Sequence, residues 1–87
     1  MKVSNIINSN GNPAPNQFII ETEKGKMFQS YDSNIAFRPA NGDSIIIGPD
    51  WDCSTTTGKY RNIFLNEKKA DTQRKLDSGV YIYDKDL

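Results

Sequence analysis

The sequence predicts an α+β domain: a small twisted antiparallel β-sheet of about five or six short strands, with one or two helices packed on one face. Three observations predict it. Apolar runs of strand length, broken by Gly, Pro, Asn and Asp, fill residues 2–48. Between about 54 and 78 the apolar positions instead recur at three and four. A β-branched and aromatic run, Val80-Tyr81-Ile82-Tyr83, closes the pattern. Strands followed by helices define this class, and 87 residues make one domain spanning 1–87.

The elements follow in order. Residues 2–8, K-V-S-N-I-I-N, read as a first strand. The next stretch carries Gly11, Pro13 and Pro15, residues that set turn dihedrals or remove backbone donors, and is expected to be a loop. Gln17–Thr22 and Met27–Tyr31 read as a hairpin about Glu23-Lys24-Gly25-Lys26, where glycine can take a positive φ. Asp32-Ser33-Asn34 is turn chemistry. Ile35–Phe37 is a fourth strand, ended by Pro39, and the Asn41-Gly42 pair signals a further hairpin into Ser44–Gly48.

From Ser54 the period changes. Tyr60, Ile63, Phe64 and Glu67 lie at helical spacing, so Tyr60, Ile63 and Phe64 are expected in the core. Ser54 or Thr56 fits a helix N-cap, a position whose side chain accepts from an unpaired N–H two or three residues on. Asn66 either ends or interrupts this helix. A second runs from about Lys69 to Ser78, with Gly79 at a left-handed C-cap. The last strand is 80–83.

Composition narrows the function. Apolar content of 36% and 25% charge fit a globular chain with a modest core, to which a dimer or a bound partner would add. The oligomeric state stays open at this level. Eleven basic and eleven acidic residues balance, which excludes both a uniformly acidic mimic and a histone-like binder. No apolar run approaches the roughly 18 residues of a membrane span. One Cys excludes an internal disulfide, and no signal-peptide pattern opens the chain, so a reducing, cytoplasmic setting is expected. The sequence has no His, which removes the commonest general base, the Ser-His-Asp triad, the Cys-His dyad and most zinc sites.

Specific devices fail in turn. Gly58-Lys59 resembles the end of a phosphate loop, but position 53 is Cys where Gly is needed and position 60 is Tyr where Ser or Thr is needed. Asp50 and Asp52 flank Trp51 and could hold a divalent cation only with a third oxygen ligand; two such Asp more often serve turns and caps. Cys53 lacks a proton shuttle and is expected to be a half-buried small apolar residue. No enzyme activity, cofactor or metal is therefore expected.

The charges are nevertheless segregated. Lys59, Arg61, Lys68, Lys69, Arg74 and Lys75 stand against Glu67 and Asp71, so six minus two gives +4 in this stretch, whereas Asp43–Asp52 holds three Asp and no base. These six basic residues are the candidate binding surface. They would contact phosphates in a salt-sensitive, sequence-independent way. The bland alternative is a solvated helix face. Trp51 either anchors a partner or plugs the edge of the core, the commoner role for a single Trp in a small domain. Phe28, Tyr31, Tyr81 and Tyr83 lie on strands, where alternation turns some of them inward.

Two patches, Phe28–Ala36 and Trp51–Leu65, resemble small proteins of bacteriophages and prophages. In those, a Ser-Tyr strand followed by Ile-Ala precedes a Trp-Asp-x-Ser-x-Thr-Thr-x-Lys-Tyr segment and an apolar helix. The matching residues are Ser30, Tyr31, Ile35, Ala36, Trp51, Asp52, Ser54, Thr56, Thr57, Lys59 and Tyr60. The ending Lys75, Ser78, Gly79, Tyr81 is similar too, and the likeness spans roughly 17–83. Departures fall at Cys53, where an aromatic is common, and in the Pro-rich early segment. The resemblance implies a mobile-element origin but supplies no reaction and no ligand. By analogy with such proteins, the expected function is non-enzymatic binding and inhibition of a host protein or ribonucleoprotein, foremost a CRISPR or other defence complex, with RNA as a possible contact. The alternative is a general single-stranded DNA- or RNA-binding accessory protein of phage replication.

Overall fold

A computed structural model describes residues 1–87. Six strands form one sheet in chain order: β1 (Lys2–Ile7), β2 (Pro13–Thr22), β3 (Gly25–Ser30), β4 (Ser33–Pro39), β5 (Ile46–Ile47) and β6 (Ile82–Tyr83). Two helices, α1 (Thr55–Leu65) and α2 (Lys69–Asp77), lie in sequence between β5 and β6. The α+β class is as expected. The sheet is antiparallel from β1 to β5, but β5 and β6 run parallel. A parallel join needs a long crossover, and the helix pair is that crossover.

Several local expectations are corrected. The segment from Pro13 is strand, not loop. It stays in the sheet through an irregularity: Asn5 pairs with Phe18 and Ile7 with Pro13, so residues 14–17 of β2 bulge opposite Ile6 alone. Asn16 takes a left-handed φ of 62°, and the Asn5 side-chain amide donates to the Ala14 carbonyl at 2.8 Å. The bulge turns Ala14 and Gln17 into the interior, where both are fully buried. At the other end, β5 and β6 keep only two residues each.

The hairpin turn is Glu23-Lys24, and Gly25 already belongs to β3. Gly25 has φ +150°, and a Cβ there would run into the Arg38 carbonyl of β4. Only glycine allows that approach.

The register sorts the two faces. Ile19, Phe28, Ala36 and Ile47 pair in one row, and Phe28 packs on Phe64 of α1 with ring centroids 5.8 Å apart. This is the helix-bearing face. Lys2, Glu21, Lys26 and Arg38 pair in a row on the same face. Arg38 reaches α1 there, donating to the Phe64 carbonyl at 2.9 Å with its guanidinium over the Phe64 ring. The core between sheet and helices is Ile6, Ala14, Phe28, Ile35, Ala36, Ile47, Tyr60, Phe64, Leu65 and Tyr81, with Ile19, Ile45, Trp51 and Leu76 packed against it. Tyr60 and Phe64 are core as expected, whereas Ile63 is 47% exposed.

Helix α1 begins at Ser54, whose Oγ accepts from the Thr57 N–H at 3.1 Å. Asn66 ends it in the left-handed conformation with φ 55°, its N–H returning to the last-turn carbonyls. Glu67 therefore lies beyond the helix, not on its apolar stripe.

Candidate functional site

The site grows from the loop that enters α1. Gly48 and Pro49 stop β5, and two turns carry Trp51 against the core. Of the hydroxyl run Ser54–Thr57, only Thr57 packs inward. Thr57 is 1% exposed, and its Oγ1 meets Ser30 Oγ of β3 at 3.0 Å and Ser54 Oγ at 3.1 Å. These bonds pin the first turn of α1 to the sheet. Cys53 is exposed, contrary to the half-buried expectation, and its thiol lies 3.5 Å from Thr57 Oγ1.

Arg61 is the least expected residue of the site. It is 1% exposed, so it is not a surface contact. Its Nη1 donates to the Trp51 carbonyl at 2.7 Å and approaches Asp52 at 3.5 Å, and its Nη2 donates to Asn62 Oδ1 at 2.9 Å. Its guanidinium also lies over the Trp51 ring, 5.1 Å from the centroid. Gly58 lies beside the guanidinium, where a Cβ would make only an ordinary van der Waals contact, 3.6 Å from Nη2. Trp51 is thus a half-buried core-edge residue with one ring face covered by an arginine.

Asp52 holds the two helices together. Lys69, at the start of α2, is 2.6 Å from its carboxylate, and Arg61 stands on the other side. The Lys69 hydrogen bond holds the Asp52 carboxyl below its usual range, against a smaller opposing effect of burial and with help from Arg61. Asp50 instead accepts from Ser33 Oγ at 2.9 Å. The two acids therefore do separate structural work, and no group of three or more acidic or Cys side chains converges as a metal site would require.

A groove results between the first turns of α1 and α2, lined by Asp52, Ser54, Thr55, Gly58, Lys59, Arg61, Asn62 and Lys69. None of these is apolar. The first turn of α1 has no acidic residue, so the positive end of its dipole is unopposed there. Three cations face one carboxylate. Lys59 and Lys68 make no ion pair, and Lys59 Nζ lies 5.4 Å from the Tyr60 ring centroid. Unpaired N–H groups, hydroxyls and ammonium groups together suit an anionic oxygen cluster.

The other two candidates stand apart from the groove. Arg74 pairs with Asp71 at 2.8 Å on the solvent side of α2. Lys75 pairs with Glu67 at 2.7 Å. Glu67, expected only as the last position of the helical period, is a hub. Its side chain is 7% exposed and accepts from Lys75, from Tyr81 OH at 2.7 Å and from Thr72 Oγ1 at 2.6 Å. Burial pushes its carboxyl up, but the hydrogen bonds from Lys75, Thr72 and Tyr81 outweigh burial and leave it below the ordinary range. The Lys75 ammonium is held above its usual value by Glu67. The Tyr81 hydroxyl is raised by burial and by the neighbouring carboxylate. Lys75 and Tyr81 belong to the sequence motif noted above, and that spacing was the available signal. Among the strand aromatics, Phe28 and Tyr81 are buried, while Tyr31 and Tyr83 are more than half exposed.

Fold and groove together define a small two-layer α+β protein with a polar, mainly cationic groove at the helix entry. No helix is long and apolar enough to cross a membrane. The chain belongs to the family of unknown function DUF8033, whose family model matches residues 1–79. Neither a curated protein nor a solved structure matches it.

Proposed function

We propose that this chain is a non-enzymatic protein of a phage or other mobile element that occupies a host nucleoprotein, foremost an RNA-guided defence complex of the CRISPR kind, and inhibits it by steric obstruction. The observation that carries the reading is the polar groove at the start of α1, rimmed by Lys59 and Lys69 with Lys68 beside it. Nucleic-acid backbone held within such a complex presents the phosphate oxygens this groove suits. The mobile-element origin rests on the Trp51–Tyr60 and Ser30–Ala36 motifs. The lack of His supports adhesion over bond-making.

General single-stranded nucleic-acid binding is the weaker reading, because such proteins stack bases on aromatic platforms beside the charges. No aromatic side chain lines this groove.

Pull-down of defence complexes from host lysate with the wild type, set beside a gel shift on free RNA and single-stranded DNA, tests the proposal. Expected are capture of one nucleoprotein, no shift of free nucleic acid at moderate salt, and loss of capture in Lys59→Glu/Lys69→Glu and in Lys68→Glu/Lys69→Glu. A strong shift without any partner protein favours the replication-accessory reading. Unchanged capture in both charge reversals removes the groove from the function.

A further inference from the structure

The sheet face turned away from the helices is built unlike a solvated one. An antiparallel sheet with one open side normally alternates apolar inward and polar outward. Here Val3, Ile20, Met27, Phe37, Ile46 and Ile82 pair in an unbroken row across all six strands on the open side. The next row holds Phe18 among the uncharged Asn5, Gln29 and Asn34. The charged residues at paired positions, Lys2, Glu21, Lys26 and Arg38, all fall on the helix-bearing side. Both helices also lie there, Phe64 against Phe28 and Leu76 against the same core. The open row is thus left to solvent, with Val3 55% and Ile82 52% exposed at its ends.

We infer that this face is an interface between two copies of the chain, packed sheet against sheet about a two-fold axis. A two-fold contact sets one surface against itself, and a row with no charge at any paired position meets its own copy with no like-charge repulsion at its centre. The charges that adjoin it, Glu23, Lys24 and Asp43 beside Phe37 and Ile46, stand at one end and have mixed sign, as a polar rim does. The molecule's outline bounds the contact: an ellipse with its two longer extents, 35 and 29 Å, encloses on the order of 800 Å², so a standard-size share per partner takes in nearly the whole face, the row together with its rim. Stacked sheets bury such rows between layers about 10 Å apart. The second copy also supplies what an 87-residue chain lacks, a second apolar layer on its sheet. Because the groove lies on the helix side, this inference does not depend on the function proposed above.

Sedimentation equilibrium and light scattering on the full chain, through the micromolar range, read the outcome. The wild type is expected at twice its chain mass of 9.8 kDa. Val3→Lys/Ile82→Lys, which alters only the two exposed ends of the row, is expected at 9.8 kDa with unchanged far-UV circular dichroism. Like charges set face to face should weaken the dimer by on the order of 100-fold. Met27→Glu tests the centre of the row in the same way. A wild type that stays at 9.8 kDa throughout overturns the inference, as does a dimer that survives both variants. A monomeric wild type whose capture of a host complex is lost in Val3→Lys/Ile82→Lys also overturns it, and assigns the face to a different protein. Dimerisation retained in Lys59→Glu/Lys69→Glu separates this surface from the groove.

Discussion

Gln17 sits fully buried in the β2 bulge, and neither its amide nitrogen nor its amide oxygen has a hydrogen-bond partner. Unpaired buried amides are destabilising, so Gln17→Met, of similar shape, should raise stability by about 1 kcal/mol or more in urea unfolding. A lower midpoint with an unchanged slope would count against this account of the bulge. Gly25→Ala should act oppositely. Its positive φ and the Arg38 carbonyl both exclude a methyl group, and a loss of about 2 kcal/mol or more is expected by the same measurement. Neither residue could be weighed from sequence alone. Gln17 reads as an ordinary strand polar residue, and its burial follows from a bulge that Pro13 and Pro15 disguise as a loop. Arg61 misled for a related reason. Its position among basic neighbours suggested a surface, but the Trp51 carbonyl and ring receive it in the interior.

At the level of elements, two carboxylates tie α2 down, Asp52 linking Lys69 to Arg61 of α1 and Glu67 linking Lys75 and Thr72 to Tyr81, and each is held below its ordinary range in the fold. The unfolded chain then binds protons more readily than the native one. Their contribution is complete above the unfolded values, 3.8 for Asp52 and 4.5 for Glu67, and is lost as pH falls through the lower folded values. Stability should therefore fall on acidification below about pH 4.5, and Glu67→Gln should flatten that arm of a stability-against-pH curve. If the curve of Glu67→Gln parallels the wild type throughout, the hub is not what ties α2 to Tyr81. The helices themselves were legible because their signals are local: the Ser54 cap, the spacing of Tyr60 and Phe64, the turn at Gly79. Glu67 was not, since its place on the helical period hid the left-handed Asn66 that ends α1 just before it.

Across the whole molecule, two sides carry different chemistry, a polar cationic groove on the helix layer and a sheet face opposite whose six-strand row is apolar throughout. If Lys59, Lys68 and Lys69 engage two or three backbone phosphates, the logarithm of the capture constant should fall against the logarithm of salt with a slope of about −2. A slope near zero would mean that the groove meets no phosphate. The strand alternation needed to see the apolar face was present in the sequence. Its significance was not, because only the register places Val3, Ile20, Met27, Phe37, Ile46 and Ile82 in one line. The basic cluster shows the reverse. Its six members are close in sequence, yet one is interior, two are tied at the far end of α2 and three surround the groove.

The strand order carries a consequence for how the chain acquires its shape. From β1 to β5 each strand pairs with its immediate predecessor, so five strands can zip together hairpin by hairpin while synthesis is still under way. The β5–β6 join differs: Ile46 meets Ile82, 82 minus 46 or 36 positions later. Closing so long a span between two-residue strands is slow relative to a hairpin. Nascent chains should hence form the β1–β5 meander first, and the edge of β5 then stays unpaired until the last strand arrives.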